Sequence, residues 1–191
     1  MKLHYRGKYD KNPESIPARP HKPNCVKFKE SEDSKKLSRK MNIIAIPILL
    51  IFFIPVLLSD IQSTCSQSVP ALILFLLLLF PHEILHAICF KEDVYLFTNF
   101  SHGMLFVAGP EDMSKSRFIF MSLLPNIILG LIPYLIFVIN PEWTLLGIVA
   151  SYNLSSGSGD YLNVYNAITQ MPKGARTYLH HFNSYWYIPE E

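Results

Sequence analysis

The sequence has few charged residues and few cysteines for its length. Asp, Glu, Lys and Arg make up 17% of 191 residues, whereas a soluble domain usually carries about 25%. Twelve of the 17 Lys and Arg lie in residues 1–40, so the remaining chain is poorer still in charge. That remainder excludes an ordinary water-soluble globule. Three widely spaced cysteines likewise exclude a secreted domain held together by disulfides.

Apolar segments account for the low charge. They span residues 43–58, 69–90 and 118–139, and a fourth begins at residue 143 and becomes polar beyond residue 150. With their flanking residues the first three reach the length of about 20 apolar residues that a bilayer requires. We therefore predict an all-α membrane protein with four transmembrane helices, in a membrane domain that covers residues 41–169.

The basic residues indicate the orientation of these helices. All 17 Lys and Arg fall in residues 1–40, residues 91–117 and the C-terminal tail, and none falls in the connections 59–68 and 140–142. Because basic residues concentrate in cytoplasmic loops, we expect a multi-pass protein of the cell membrane with both termini in the cytoplasm.

Outside the four helices, we predict two cytoplasmic tails and one short hairpin. Residues 1–40 are basic and rich in proline, which predicts a disordered cytoplasmic tail that contacts anionic lipid rather than nucleic acid. Residues 170–191 form a second cytoplasmic tail. Between helices 2 and 3, the β-prone runs 94–98 and Met104–Ala108 flank turn-forming residues and predict a short hairpin. Its edge would suit an extended peptide, and a plain connector explains it equally well.

The strongest sign of a chemical function in the sequence is the motif His82-Glu83-Ile84-Leu85-His86. On a helix the two histidines face the same way, one turn apart, so that they can bind one Zn²⁺. Glu83 then lies close enough to act on a water molecule at the metal. Ionisable groups are costly inside a membrane helix and are rare there unless they line a site.

A hydrolytic zinc site needs a third protein ligand, and Asp160 is the candidate. It is the only acid in the fourth segment. Counted from the outer ends of their segments at about 1.5 Å per residue, His82, His86 and Asp160 all lie some 20–27 Å deep, towards the cytoplasmic side. Cys89 and His102 are weaker candidates, Cys89 because it is too far from His82 along one helix.

The motif with its flanking Pro81 and Ala87, followed by Gly157-Ser158-Gly159-Asp160 in a later helix, resembles the DUF3267 family of zincin peptidases. These are small bacterial membrane proteins related to the site-2 protease class, and the resemblance covers roughly residues 69–190. It implies that His82, His86 and Asp160 bind zinc and that Glu83 is the general base.

The sequence departs from the site-2 protease pattern, which has Asn-Pro shortly before its aspartate and Gly after it. Asn153 stands seven residues ahead of Asp160 without a following proline, and Tyr161 replaces the glycine. The resemblance therefore gives Asn153 only weak support as a substrate-positioning residue.

The sequence thus predicts a zinc-dependent, membrane-embedded endopeptidase. Its substrates would be membrane proteins or membrane-proximal peptides, cleaved near the cytoplasmic side. The alternative is a non-catalytic membrane scaffold or partner-binding protein with a structural metal site. A haem carrier is disfavoured, because two histidines on one helix face cannot approach a porphyrin from opposite sides.

Overall fold

The computed structural model describes residues 1–31, 34–102, 104–181 and 183–190. The chain divides into two compact units, each built from segments that are distant in sequence. The helical unit comprises Ser31–His82 and Leu123–Leu162. The sheet unit comprises Met1–Glu30, Glu83–Ser122 and Asn163–Glu191.

The helices follow the apolar segments of the sequence. They are α1 (Ser34–Ser59), α2 (Ile61–Ala87), α3 (Lys115–Pro125), α4 (Ile132–Ile139), α5 (Thr144–Ser156) and α6 (Ser158–Gln170), with a π-helical segment, Asn126–Leu131, between α3 and α4. Within the described residues, three stretches are long and apolar enough to cross a membrane: Arg39–Ser59, Ile61–Ala87 and Lys115–Ile139. They coincide with the first three predicted spans.

The fourth predicted span consists of two helices. Each of α5 and α6 has 13 residues, and Gly157 separates them. At 1.5 Å per residue each helix is about 20 Å long, whereas the hydrocarbon core of a bilayer is about 30 Å thick. Neither helix spans a bilayer by itself, and the expected count of four transmembrane helices stays a prediction.

The polar residues after α1 continue as helix instead of forming a connection. Asp60 accepts a hydrogen bond from the backbone N–H of Ser63 at 2.8 Å, which satisfies one of the unpaired donors at a helix start. The hydroxyls of Thr64 and Ser68 donate to carbonyls four residues earlier, at 2.7 and 2.6 Å. α2 thus begins at Ile61 with polar first turns: Asp60 caps its start, and the hydroxyls of Thr64 and Ser68 find acceptors within the helix.

The helical unit has a small aromatic and aliphatic core and an apolar exterior. Its buried residues are Val56, Ala71, Tyr134, Phe137, Ile148, Val149, Ala150 and Leu154. Large apolar side chains on the other faces stay exposed, among them Ile43, Leu77 and Ile139. Helices with internally paired backbones and outward apolar side chains suit a hydrocarbon environment.

Among the described residues, the sheet unit has seven strands in two sheets. The strands are β1 (Leu3–Lys8), β2 (Val26–Lys27), β3 (Val94–Asn99), β4 (Met104–Ala108), β5 (Met113–Ser114), β6 (Arg176–His180) and β7 (Asn183–Tyr187). One sheet has the order β1-β3-β4 and the other the order β2-β7-β6-β5. The hairpin predicted between helices 2 and 3 is confirmed, since β3 pairs with β4 in antiparallel register.

The expected all-α class is confirmed only in part: the chain is mostly helical, but segments that look like tails form these two sheets. β1 lies in residues 1–40 and pairs in parallel with β3, while β6 and β7 occupy the C-terminal segment and pair with each other. The N-terminal segment has too few apolar residues for a core of its own. In the sheet unit its Tyr9 and Ile16 are buried with Phe97 and Ala108. The strands β3 and β4 thus supply the apolar side chains against which the N-terminal segment packs.

We expect Ile16→Ala to destabilise the sheet unit by about 2–5 kcal/mol, the usual cost of truncating a buried isoleucine. Ile16 is 2% exposed. The measurement is urea unfolding of the purified protein in detergent, followed by tryptophan fluorescence. The control is Ile188→Ala, because Ile188 is 56% exposed. Equal, small effects of both variants would show that the N-terminal segment does not contribute to the core.

Candidate metal centre

Two histidines and a glutamate lie together near the C-terminal end of α2. Helical spacing puts His82 and His86 on one face, and the candidate ligand atoms of His82, Glu83 and His86 all lie within 4.8 Å of one another. His82 and His86 are 8% and 7% exposed. The helix therefore presents two buried imidazoles and a carboxylate in the pattern that binds one zinc ion.

The carboxylate of Asp160 lies beside His82 in the helical unit. Asp160 stands in the first turn of α6, and its Oδ2 lies 3.3 Å from Nε2 of His82. Two nitrogen or oxygen ligands of a tetrahedral zinc ion, each 2.0–2.1 Å from the metal, are about 3.3 Å apart. The distance fits two ligands of one ion, and it also fits an ion pair when His82 is protonated. The structure thus brings together two residues that the sequence predicts at one depth.

The ring of His86 is held by α3 within the sheet unit. Nδ1 of His86 lies 2.9 Å from the carbonyl oxygen of Met121. Because a carbonyl can only accept, Nδ1 carries the proton in this hydrogen bond. In the neutral ring the lone pair is then on Nε2, and metal-binding histidines are commonly oriented in this way.

Glu83 contacts the edge of a β-sheet. β4 lies at the end of its sheet, with β3 as its strand neighbour, and the backbone N–H of Val107 in β4 donates to Oε2 of Glu83 at 2.9 Å. This N–H therefore points away from β3. The expected general base is thus adjacent to the strand edge that the sequence marks as a candidate peptide-binding element.

Asn126 is the residue that sequence reasoning missed. It lies 3% exposed at the start of the π-helical segment, and its Nδ2 donates to Oδ2 of Asp160 at 2.8 Å. Its Oδ1 accepts a hydrogen bond from the hydroxyl of Tyr161 at 3.2 Å. The sequence signal is an amide in a segment that is apolar apart from Ser122 and Asn126. Single π-helical turns often occur at functional sites.

Gly157 provides the space for Asn126. A Cβ atom at residue 157 would lie 1.7 Å from Oδ1 of Asn126, far inside the contact distance. At Gly159 a Cβ would meet only the terminal methyl of Met41, at 3.2 Å. The two glycines of the Gly-Ser-Gly-Asp run therefore differ in role. Of the two, Gly157 is the one at which a side chain would collide with a buried polar residue.

The other candidates of the sequence lie outside this arrangement or are not described. Asn153 is buried in α5, where its Nδ2 donates to the carbonyl of Val149 at 2.9 Å, and its role in substrate positioning stays a prediction. The Cys89 thiol donates to the carbonyl of Leu85. Burial raises the pKa of Cys89, opposed by the charge of Arg117. The His102 side chain lies outside the described residues.

A helix with His-Glu-x-x-His, together with a carboxylate beside the first histidine, is the pattern of the zincin class of metallopeptidases. A family model agrees: DUF3267, described as "Putative zincin peptidase", matches residues 74–176. The chain belongs to this family. The matched part contains the α2 motif, Asn126 and Asp160. No curated protein and no solved structure matches the chain.

We expect Gly157→Ala to destabilise the protein by about 1–3 kcal/mol, the range for forcing an extra methyl into a packed site. Alanine is a better helix former than glycine by about 1 kcal/mol. A loss of stability would therefore be due to the clash with Asn126. Gly159→Ala is the matched control: residue 159 lies in α6, so the substitution should leave stability unchanged or raise it by up to about 1 kcal/mol. Thermal unfolding in detergent measures both. A stabilised Gly157→Ala variant would contradict the close approach.

Proposed function

We propose that this chain is a zinc-dependent, membrane-embedded endopeptidase related to the site-2 proteases. It hydrolyses peptide bonds of membrane proteins or membrane-proximal peptides near the cytoplasmic side of the cell membrane. The observation that carries the proposal is the contact between His82 of the His-Glu-x-x-His helix and Asp160 at a ligand-to-ligand distance. Membership of a family described as zincin peptidases supports it.

The donor set fits zinc. Two imidazoles and one carboxylate are the protein ligands of a hydrolytic zinc site that keeps one position open, and here they would be His82, His86 and Asp160. A bound zinc ion supplies Lewis acidity that activates water and polarises the scissile carbonyl. The hydrogen bond from His86 to Met121 holds one of these rings in the orientation and tautomer that coordination requires.

Glu83 is the general base in this proposal. Its carboxylate takes a proton from the attacking water and delivers it to the amide nitrogen that leaves. The N–H of Val107 donates to this carboxylate, which keeps the carboxylate beside β4. An extended substrate paired along the edge of β4 would expose its peptide bonds next to Glu83, whereas a helical substrate would hide them.

Asn126 is a positioning residue that acts through Asp160. Its Nδ2 donates to Oδ2 of Asp160, the oxygen nearest His82. A buried carboxylate that binds a metal needs its remaining lone pairs satisfied. Asn126 provides one such hydrogen bond, and the hydroxyl of Tyr161 in turn fixes the Asn126 amide.

Strand pairing supports the expected topology, in which both termini are cytoplasmic. β1 pairs with β3, and β5 pairs with β6. Paired strands lie on one side of a membrane, so the chain between each pair crosses an even number of times. The stretch α1–α2 supplies two crossings. Between β5 and β6 the apolar stretch Lys115–Ile139 crosses the membrane once. In this topology α5 and α6 together make the second crossing, back to the cytoplasmic side.

We expect Glu83→Gln to retain zinc and to lower the cleavage rate by about 10²–10⁴-fold, the usual contribution of a general base. The assay uses purified protein with a single-span model substrate in liposomes, together with metal analysis. Glu142→Gln is the matched control, because Glu142 is exposed and remote in sequence from the motif. Cleavage by Glu83→Gln at the wild-type rate would rule out this assignment.

Variants of the proposed ligands distinguish the peptidase from the alternative, a non-catalytic scaffold with a structural metal. A scaffold with a structural metal would cleave no substrate in any form, and His82→Ala or Asp160→Ala would lose zinc and unfold together. In the peptidase, both variants lose activity and bind zinc far more weakly, through the two remaining ligands, at an affinity that dye competition can still measure. Their helices should remain folded, because the core of the helical unit lies among other residues.

We expect Asn126→Ala to weaken zinc binding by about 10–100-fold, as loss of a hydrogen bond to a metal ligand typically does. In an Asp160→Ala background the same change should cost little, because Asn126 acts through the missing carboxylate. Competition with a chelating dye measures the affinities, and Asn140→Ala is the control. Equal losses in both backgrounds would show that Asn126 acts independently of Asp160.

A further inference from the structure

The carbonyl of Met121, which orients the His86 ring, lies in α3 at a position without an α-helical donor. In an α-helix each carbonyl accepts the backbone N–H of the residue four places later. Four places after Met121 stands Pro125, the last residue of α3, and proline has no N–H. The carbonyl can therefore accept the Nδ1 proton of His86 without giving up a helical hydrogen bond.

This missing donor favours one tautomer of His86. The hydrogen bond to Met121 is buried, and a buried carbonyl without a donor is costly. A ring that carries its proton on Nδ1 satisfies the oxygen and, when neutral, has its lone pair on Nε2. The ring of Pro125, which is less than 2% exposed, adds to the effect, because a proline ring crowds the carbonyl four residues earlier. Through Met121, Pro125 thus favours the tautomer of His86 that can bind a metal through Nε2.

Arg117 stands one turn before Met121 in α3 and caps the end of α2. Its Nε donates to the carbonyl oxygen of Cys89 at 2.9 Å, and its Nη2 donates to the same oxygen. The N–H of Cys89 donates to the carbonyl of His86 at 3.1 Å, so the chain still turns beyond α2. The last carbonyls of a helix carry partial negative charge, which a cation offsets. Arg117 therefore holds α3 at the end of the helix that bears the His-Glu-x-x-His motif.

The Glu111 carboxylate fixes the guanidinium of Arg117. Its Oε1 accepts a hydrogen bond from Nη1 of Arg117, and its Oε2 accepts the backbone N–H groups of Lys91 and Glu92 at 2.6 and 3.0 Å. Burial raises the pKa of Glu111, but these hydrogen bonds outweigh it and bring the pKa below its usual value. The carboxylate is therefore charged at neutral pH, and it ties the first turn of α3 to the chain that leaves α2.

We infer that Pro125 and Arg117 are positioning residues for His86. Pro125 leaves the Met121 carbonyl to this ring, and Arg117 keeps that carbonyl within reach by holding α3 against the end of α2. The inference rests on the proposed function only for the role of His86 as a zinc ligand, because the orientation of the ring is a property of the metal-free protein.

Nitrogen NMR of ¹⁵N-histidine in the full-length, metal-free protein tests this inference, because protonated and unprotonated ring nitrogens give different shifts. The signals of His86 are those that disappear in His86→Ala. At about pH 8.5, where an imidazole is neutral, we expect the wild-type ring to be protonated on Nδ1. In Pro125→Ala we expect a mixture of both tautomers, because the new N–H competes for the Met121 carbonyl. Pro133→Ala, in the same apolar stretch, is the matched control and should leave the His86 signals unchanged.

Zinc affinity gives a second readout. Pro125→Ala should weaken zinc binding by about 10–100-fold, the usual effect of losing the support of a metal ligand, although alanine is the better helix former. In a His86→Ala background the same change should have little further effect. A similar loss in both backgrounds would instead indicate general damage to the site and would overturn the role of Pro125.

Arg117→Lys tests the second residue without removing its charge. Lysine still pairs with Glu111, but it lacks the planar fork that donates twice to the Cys89 carbonyl, so the His86 tautomers should mix here too. The control is Arg6→Ala, at an exposed arginine of β1. A ring that stays protonated on Nδ1 alone in both test variants would overturn the inference. If the ring responds and the wild type binds no zinc, the positioning stands and only the proposed function fails.

Discussion

A carboxylate among apolar helices is costly unless an opposite charge or a metal balances it and its oxygens accept hydrogen bonds. Asp160 is such a carboxylate. The structure meets this requirement with His82 at 3.3 Å and Asn126 at 2.8 Å. Asn126 is the first residue of the π-helical segment, and its side chain fits only because residue 157 is a glycine. The π-helical segment of the third apolar stretch and the glycine between α5 and α6 therefore both adjoin Asn126, the residue that donates to this one acid.

The sheet unit depends on a different constraint, which is the pairing of short strands from three segments. None of these segments has a core of its own. Phe28, from the N-terminal segment, is buried with Ala167, Met171 and Ala175 from the C-terminal part of the chain. The same unit contributes the strand edge that contacts Glu83 and the carbonyl that orients His86. Within the sheet unit, the sheets and α3 thus hold the side chains of Glu83 and His86 in place.

The apolar helices and the motif in α2 could be predicted from the sequence, because both depend on local composition and on the helical period. The proximity of Asp160 to His82 could be predicted from depth alone. Asn126 could not, since its significance depends on a close approach to Gly157 in another helix. The sheets could not be assembled either, because β1 and β2 are short and polar and find their partners about 90 and 160 residues away.

The pairing of β2 with β7 has a consequence for biosynthesis. A ribosome makes Val26 and Lys27 long before the residues that they pair with, Trp186 and Tyr185. Contacts of such long sequence separation form late. The helices α1–α6 are therefore made before the second sheet can be completed. A chain truncated before β7 would keep the His-Glu-x-x-His helix but lack this closure, so an unfinished product cannot assemble the complete sheet unit.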